Sequence, residues 1–296
     1  MPRTLTLATL AIATGILSSP YASAAAPDSD PVATIRGAIQ RGDKDAAIAA
    51  GEAATASPNA SAEVWHWLGI AYCDKALTAS LLSRLGLAHK CQAAYEKAVA
   101  LDPKNVDARN DLAEFYIEAP SIAGGDTAKA RAQATEIAKL DAVRGHLLLG
   151  QIEAKDENFT AAETAFKQAI ADDAKNPRGT IALGNLYVNQ KRWDDANAFW
   201  RQRLGDAELE LIAHYQLGKI ALLSGQGLTE GAEHLRTYLR SPVRPDSPSW
   251  ADAHWRLGLV LEKLGRRDDA LAELREAVRL NPKHPQATKD LERLGG

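Results

Sequence analysis

The chain has 296 residues, of which 46% are hydrophobic and 25% are charged, and its formal net charge is −3. This composition is typical of a soluble protein, and the length allows a large core or an extended array. The charge balance argues against a nucleic-acid-binding protein, which usually carries a basic face.

The first 24 residues have the pattern of a secretory signal peptide. Arg3 precedes an apolar run over residues 5–17, and Ala22-Ser23-Ala24 fits a small-x-small cleavage site. No later apolar run is long enough to span a bilayer. The pattern therefore predicts a periplasmic or secreted protein with no stable membrane span after cleavage. An uncleaved anchor is the alternative.

A repeated pattern begins with "WHWLGIAY" at residues 65–72. Leu-Gly pairs recur along the chain, and Gly150, Gly184 and Gly218 follow one another at intervals of 34 residues. The stretch resembles the opening signature of the tetratricopeptide repeat, W-x2-L-G-x2-Y, and 34 residues is the period of that family.

The second half of the same signature follows the Leu-Gly pairs that end at Gly150 and Gly184. Twelve residues after Gly150 and Gly184, the chain places Ala162-x3-Phe166 and Ala196-x3-Trp200. The stretches "LDPKN" (101–105) and "LNPKH" (280–284) both end a unit, because a proline stops one helix before the next begins.

The resemblance implies an all-α superhelical solenoid of antiparallel helix pairs, with about seven units and a terminal capping helix. Residues 1–24 are the predicted signal peptide, and residues 25–296 are the predicted array. The units start near residues 28, 62, 106, 143, 177, 211 and 251, and the terminal helix covers 285–294.

Three insertions interrupt the period, within residues 73–94, 119–130 and 241–250. They are either connectors or contacts for a partner on the rim of the array. Cys73 and Cys91 flank the first insertion, and a hairpin that turns at residue 82 would place them side by side. An exported chain meets an oxidising compartment, so the pair is a candidate disulfide. Two separately buried thiols are the alternative.

Enzyme motifs are absent from the sequence: it contains no G-x-S-x-G, no H-E-x-x-H and no G-x-x-x-x-G-K-[ST]. His146, His214 and His254 all take the fourth place of their units. Adjacent units lie on the order of 10 Å apart, whereas zinc ligands sit about 2.1 Å from the metal. Packing therefore explains these histidines better than metal binding. We expect a protein without catalytic activity, metal or cofactor.

In tetratricopeptide proteins, places 2, 5, 9, 12 and 13 of each unit line an inner groove. Carried over place by place, these positions are acidic in the early units, basic and amide-rich in the middle and apolar at the end. Amide and guanidinium groups suit a peptide backbone and its carboxylates, and aromatic residues anchor partners. The predicted binding residues are Arg144, Arg178, Asn185, Asn189, Tyr215, Lys219 and Trp255.

The sequence is similar to exported bacterial members of this family. That resemblance implies a non-catalytic adaptor or scaffold of the cell envelope that binds protein or peptide in its concave groove. Two alternatives remain open: binding of cell-wall glycan by the late aromatic residues, and self-assembly. The sequence does not identify the partner.

Overall fold

The computed structural model describes residues 30–242 and 248–295. The predicted signal peptide, residues 1–24, lies outside this part of the chain. Within the described residues the secondary structure is entirely helical, with fifteen α-helices and one short 3-10 helix and no strand. The predicted fold class, an all-α solenoid of helix pairs, is confirmed.

The helices follow one another as antiparallel pairs, and each packs mainly against its neighbours in chain order. Odd-numbered helices from α1 to α13 open the seven pairs, and α15 follows the last pair. The bounds are α1 Pro31–Gln40, α2 Lys44–Thr55, α3 Ala62–Thr78, α4 Leu81–Leu101, α5 Val106–Glu118, α6 Thr127–Ala138, α7 Ala142–Lys155, α8 Phe159–Asp172, α9 Pro177–Asn189, α10 Trp193–Arg201, α11 Glu210–Ser224, α12 Leu228–Arg240, α13 Trp250–Lys263, α14 Arg267–Leu280 and α15 Pro285–Arg293.

Polar side chains cap the first helix of every pair except α11. The Asn105 Oδ1 atom accepts the Ala108 backbone N–H at 2.9 Å, and the Asp141 Oδ1 atom accepts the Arg144 backbone N–H at 3.0 Å. Such side chains satisfy N–H groups that have no partner inside the helix. Pro177 opens α9, where its missing N–H costs nothing.

Glycines allow the two helices of a pair to approach closely. A Cβ atom on Gly150 would lie 2.3 Å from the Phe166 ring, and one on Gly184 would lie 2.5 Å from the Trp200 indole. The large residue of the second helix thus fills the space that the glycine leaves, and Trp200 is fully buried. These are the pairs that the repeat signature places sixteen residues apart.

The first insertion does not form a loop. It lengthens α3 and α4, which reach 17 and 21 residues, and the chain turns at Ala79 and Ser80 instead of residue 82. The turn comes earlier because Leu81 and Leu82 already belong to a leucine-rich run that favours helix. Cys73 and Cys91 form a disulfide with their Cα atoms 5.4 Å apart.

The second insertion folds as a compact connector. A 3-10 helix covers Ser121–Ala123 and ends at Gly124, whose φ of 101° is the left-handed region that glycine tolerates. Asp126 then caps α6 by accepting the Lys129 backbone N–H at 3.0 Å. Of the third insertion, residues 243–247 lie outside the described part. Ser249 caps α13 after it.

The terminal helix α15 covers the last helix pair. Leu291 and Leu294 pack into the apolar cluster of α13 and α14, and Arg293 pairs with both oxygens of Glu262 at 2.6 and 2.7 Å. Across the described ranges, no helix combines the length and apolar character that crossing a bilayer requires.

Candidate functional site

The first helices α5, α7 and α9 line a groove of about 590 Å³ in the middle of the array. Three predicted binding residues meet there, one from α7 and two from α9. The lining residues are Asn110, Glu114, Arg144, Leu147, Leu148, Gln151, Arg178, Ile181, Ala182 and Asn185.

Charged groove residues of neighbouring units neutralise one another. The Arg144 Nη1 atom lies 2.6 Å from an oxygen of Asp107, and the Lys155 Nζ atom lies 2.9 Å from an oxygen of Glu118. Each pair joins the first helices of successive units. The acidic early end and the basic centre expected from the sequence are therefore partly compensated by each other.

Arg178, Lys219 and Arg256, on the first helices α9, α11 and α13, have no carboxylate partner among the described residues. The Lys219 ammonium donates to the Asn185 Oδ1 atom at 3.1 Å. Burial and the nearby Arg256 guanidinium lower the pKa of Lys219. Each unpaired cation favours an anionic partner, and the effect is stronger where water is excluded.

Arg178 is the most available of these cations. It is exposed at the first turn of α9, and its guanidinium makes no hydrogen bond or ion pair to any described residue. A cation at a helix N-terminus opposes the helix dipole and costs about 0.3–1 kcal/mol. Nothing in the described fold offsets that cost, so Arg178 does not serve the stability of α9.

Asn189, at the end of α9, is exposed and stands apart from the central groove lining. Its amide makes no hydrogen bond to a described residue. It remains open to a ligand that extends beyond the groove.

Tyr215 does not present an open ring to the groove. It is 6% exposed, its hydroxyl accepts from the Arg256 Nε atom at 2.7 Å, and its ring centroid lies 5.2 Å from that of Tyr238. Burial raises the pKa of Tyr215. The expected aromatic anchor is instead part of the core, because the following helix pair packs over it.

Trp255 is half-buried and already has partners in the terminal helix and the turn before it. Its indole N–H donates to the Asp290 Oδ2 atom at 2.9 Å, and its ring lies 5.4 Å from the His284 ring. Here α15 takes the place that we expected an external ligand to fill.

The three fourth-place histidines contact separate partners. His146 contacts Asp172, His254 contacts Glu273 and His214 contacts His234. Each contact joins the two helices of one pair. In the described part of the chain, no three His, Cys, Asp or Glu side chains are grouped so as to hold a metal ion.

The groove has an apolar floor that the predicted binding residues, chosen for their polar or aromatic side chains, do not include. Leu147 and Ile181 line it between the polar side chains. Both take the fifth place of their units, which the family resemblance assigns to the groove. The position of these two residues in the repeat could thus have identified them as part of the groove.

Sequence profiles of the tetratricopeptide repeat match the chain over residues 75–105, 94–132, 122–177, 153–207 and 251–284. Together these matches cover more than half of the chain. The protein belongs to the tetratricopeptide repeat family. No curated protein matches its sequence.

Solved structures share the fold at low sequence identity. A tetratricopeptide repeat protein from Parabacteroides merdae is 14% identical, with a TM-score of 0.57, over 90% of this chain and 98% of that one. Yeast Tom70 is 15% identical, with a TM-score of 0.61, over 85% of this chain and 52% of that one. PilW, described as a type IV pilus biogenesis factor, is 18% identical, with a TM-score of 0.50, over 76% and 98%.

Proposed function

We propose that the protein is a non-catalytic scaffold that binds an extended, acidic peptide segment of a partner protein in the groove of α5, α7 and α9. The observation that carries this proposal is Arg178, an exposed guanidinium in the groove without a carboxylate partner among the described residues.

The groove offers complementary groups for such a segment. Leu147 and Ile181 provide an apolar floor, and Gln151 and Asn185 provide amides that pair with a peptide backbone. Arg178 supplies a planar donor set that fits a carboxylate with two hydrogen bonds. Lys219, beside Asn185, extends the positive charge towards the next unit.

The location in the bacterial cell envelope is part of the proposal. It is supported by the signal-peptide pattern of residues 1–24 and by the cysteine pair, since disulfides persist in oxidising compartments.

Glycan binding is less well supported. Stacking on a sugar needs an open aromatic face. Tyr215 is buried, and the indole of Trp255 is held by Asp290. Self-assembly has no single observation in its favour at this groove, and a concentration-dependent mass would reveal it.

The test is selection of peptides from a random library by the native chain and by the double variant Arg178→Ala, Asn189→Ala. We expect acidic peptides whose affinity falls at least tenfold in the variant, because hydrogen bonds to a charged group contribute about 1.5–3 kcal/mol. The melting temperature should not fall, since neither side chain bonds within the described fold and the loss of Arg178 removes an unfavourable charge from the N-terminus of α9.

Arg275→Ala is the matched control, because Arg275 is an exposed arginine on the second helix α14, away from the groove. It should keep full affinity. Equal binding by the native chain and the groove variant would contradict the proposed site. Unfolding of the Arg178→Ala variant would show that this residue is structural.

A further inference from the structure

The extended α3–α4 hairpin ends in an unusual apolar surface. Leu77, Leu81 and Leu82 are 77%, 80% and 91% exposed, and they surround the turn at Ala79 and Ser80. We call these three leucines the hairpin tip. They are the most exposed large apolar side chains of the described residues. Such side chains at a projecting end indicate a surface that is covered by something else.

The hairpin holds this tip in a fixed position. The Cys73–Cys91 disulfide closes the base of the extension. Above it, Leu85 and Leu87 pack against the core cluster of α3 to α7, and Ala88 is buried in that cluster. The leucines are therefore exposed on well-packed helices, and their exposure is a property of the folded hairpin.

The charge around the tip is positive. The sequence contains no Asp or Glu between Asp74 and Glu96. The Arg84 side chain donates to the Ala76 and Ala79 carbonyl oxygens at 3.1 and 3.2 Å, and it has no carboxylate partner among the described residues. The positive charge next to the leucines is therefore not paired with a carboxylate.

The other cations of the extension belong to its base. Lys75 pairs with Asp45 at 2.8 Å, and Lys90 pairs with Glu52 at 3.1 Å, both on α2. Positive charge without a carboxylate is therefore concentrated at the outer end, beside the apolar side chains.

The tip is too small for a stable contact between two copies of the chain. A leucine side chain offers roughly 100 Å² of apolar surface. Six leucines would remove about 600 Å² from water, whereas a specific protein interface buries at least about 1,000 Å². A bilayer has no such requirement, since a projecting point inserts without a complementary shape.

We propose that the hairpin tip docks on an anionic lipid surface, with Leu77, Leu81 and Leu82 entering the headgroup boundary and Arg84 contacting lipid phosphates. Leucines on one side and an adjacent cation are the two elements by which peripheral segments bind anionic bilayers. The groove of α5, α7 and α9 is a separate site, and this contact would hold it near the membrane.

The test is co-sedimentation of the full chain with phosphatidylglycerol vesicles and with phosphatidylcholine vesicles. We expect partition onto phosphatidylglycerol that falls at least tenfold in the double variant Leu81→Ser, Leu82→Ser. Arg84→Gln should lower partition onto phosphatidylglycerol and leave the weaker partition onto phosphatidylcholine unchanged. Native chain and variants share residues 1–29, so any difference between them comes from the tip.

The matched control is Ile122→Ser with Leu140→Ser, two exposed apolar residues outside the hairpin. It should bind as the native chain does, and thermal melts should show that all variants fold. Equal partition of the native chain and the tip variant, or none by the native chain, overturns the proposal. It is also overturned if the tip variant abolishes a concentration-dependent dimer while vesicles bind neither protein.

Discussion

At the scale of single residues, the eighth-place glycines set the distance between the helices of a pair. Gly184 lies against the fully buried indole of Trp200, and Gly150 against Phe166. By contrast, Gly86 lies on an exposed part of α4, and an added Cβ atom there would meet no atom within 4 Å. A change from glycine to alanine should therefore have opposite effects on stability at these two kinds of position.

Gly184→Ala should destabilise the protein by about 1–3 kcal/mol, because the methyl group overpacks against Trp200. Gly86→Ala should stabilise it by about 0.5–1 kcal/mol, since alanine loses less entropy than glycine in an open helix position. Urea denaturation followed by circular dichroism measures both. The same sign of change in the two variants would contradict the close-packing role of Gly184.

At the scale of helices, hydrogen bonds from tyrosine to glutamate recur between successive units. In each, a tyrosine of a first helix donates to a glutamate on the second helix of the unit before it. The pairs are Tyr72 with Glu52 at 2.6 Å, Tyr116 with Glu96 at 2.6 Å and Tyr187 with Glu163 at 3.0 Å. Burial raises the pKa of Glu163, but hydrogen bonds from Lys167, Arg192 and Tyr187 together lower it to about 2.

A histidine pair joins α11 to α12 and should make this helix pair acid-sensitive. The Nδ1 atoms of His214 and His234 lie 2.8 Å apart. Burial lowers the pKa of both histidines, and the charge of His214 lowers that of His234 further, although Glu230 opposes this. The unfolded chain therefore takes up protons more readily, and stability falls as the pH drops below about 6.5.

Replacement of His234 by glutamine should weaken this acid effect. Between pH 7.5 and pH 5.0, we expect the melting temperature of His234→Gln to fall by about 2–4 °C less than that of the native chain. His89→Gln is the control, because His89 is exposed and has no partner among the described residues. Parallel losses in the native chain and in His234→Gln would show that the histidine pair has no part in acid sensitivity.

At the scale of the whole molecule, the array is nearly one-dimensional. Each helix packs mainly on its neighbours in the chain, so distant units do not stabilise one another directly. The apolar face at each end of the array must therefore be covered by a capping element. Helix α15 supplies the cover at one end, through Leu291, Leu294 and the Arg293–Glu262 pair.

Deletion of residues 285–296 should therefore have a local effect. We expect amide hydrogen exchange in α13 and α14 to become at least tenfold faster, because burial of a leucine contributes about 1.5–3 kcal/mol. Exchange in α3 to α8 should stay unchanged. A uniform increase along the chain, measured by mass spectrometry, would show instead that the array unfolds as a single cooperative unit.

The repeat and the architecture that follows from it were predictable from the amino-acid sequence. Gly150, Gly184 and Gly218 recur every 34 residues because each unit needs the same close approach at the same place. Capping residues and prolines mark helix ends through interactions with backbone only a few residues away. Such local and periodic requirements are visible in a single sequence.

Which groove residues are available to a ligand depends on contacts between the stacked units. Arg144 is paired with Asp107, Tyr215 is buried and Trp255 is held by Asp290, whereas Arg178 has no such partner in the described chain. These contacts join residues of different units or the capping helix. They depend on the distance and orientation between stacked helix pairs, which the repeat pattern of one sequence does not encode.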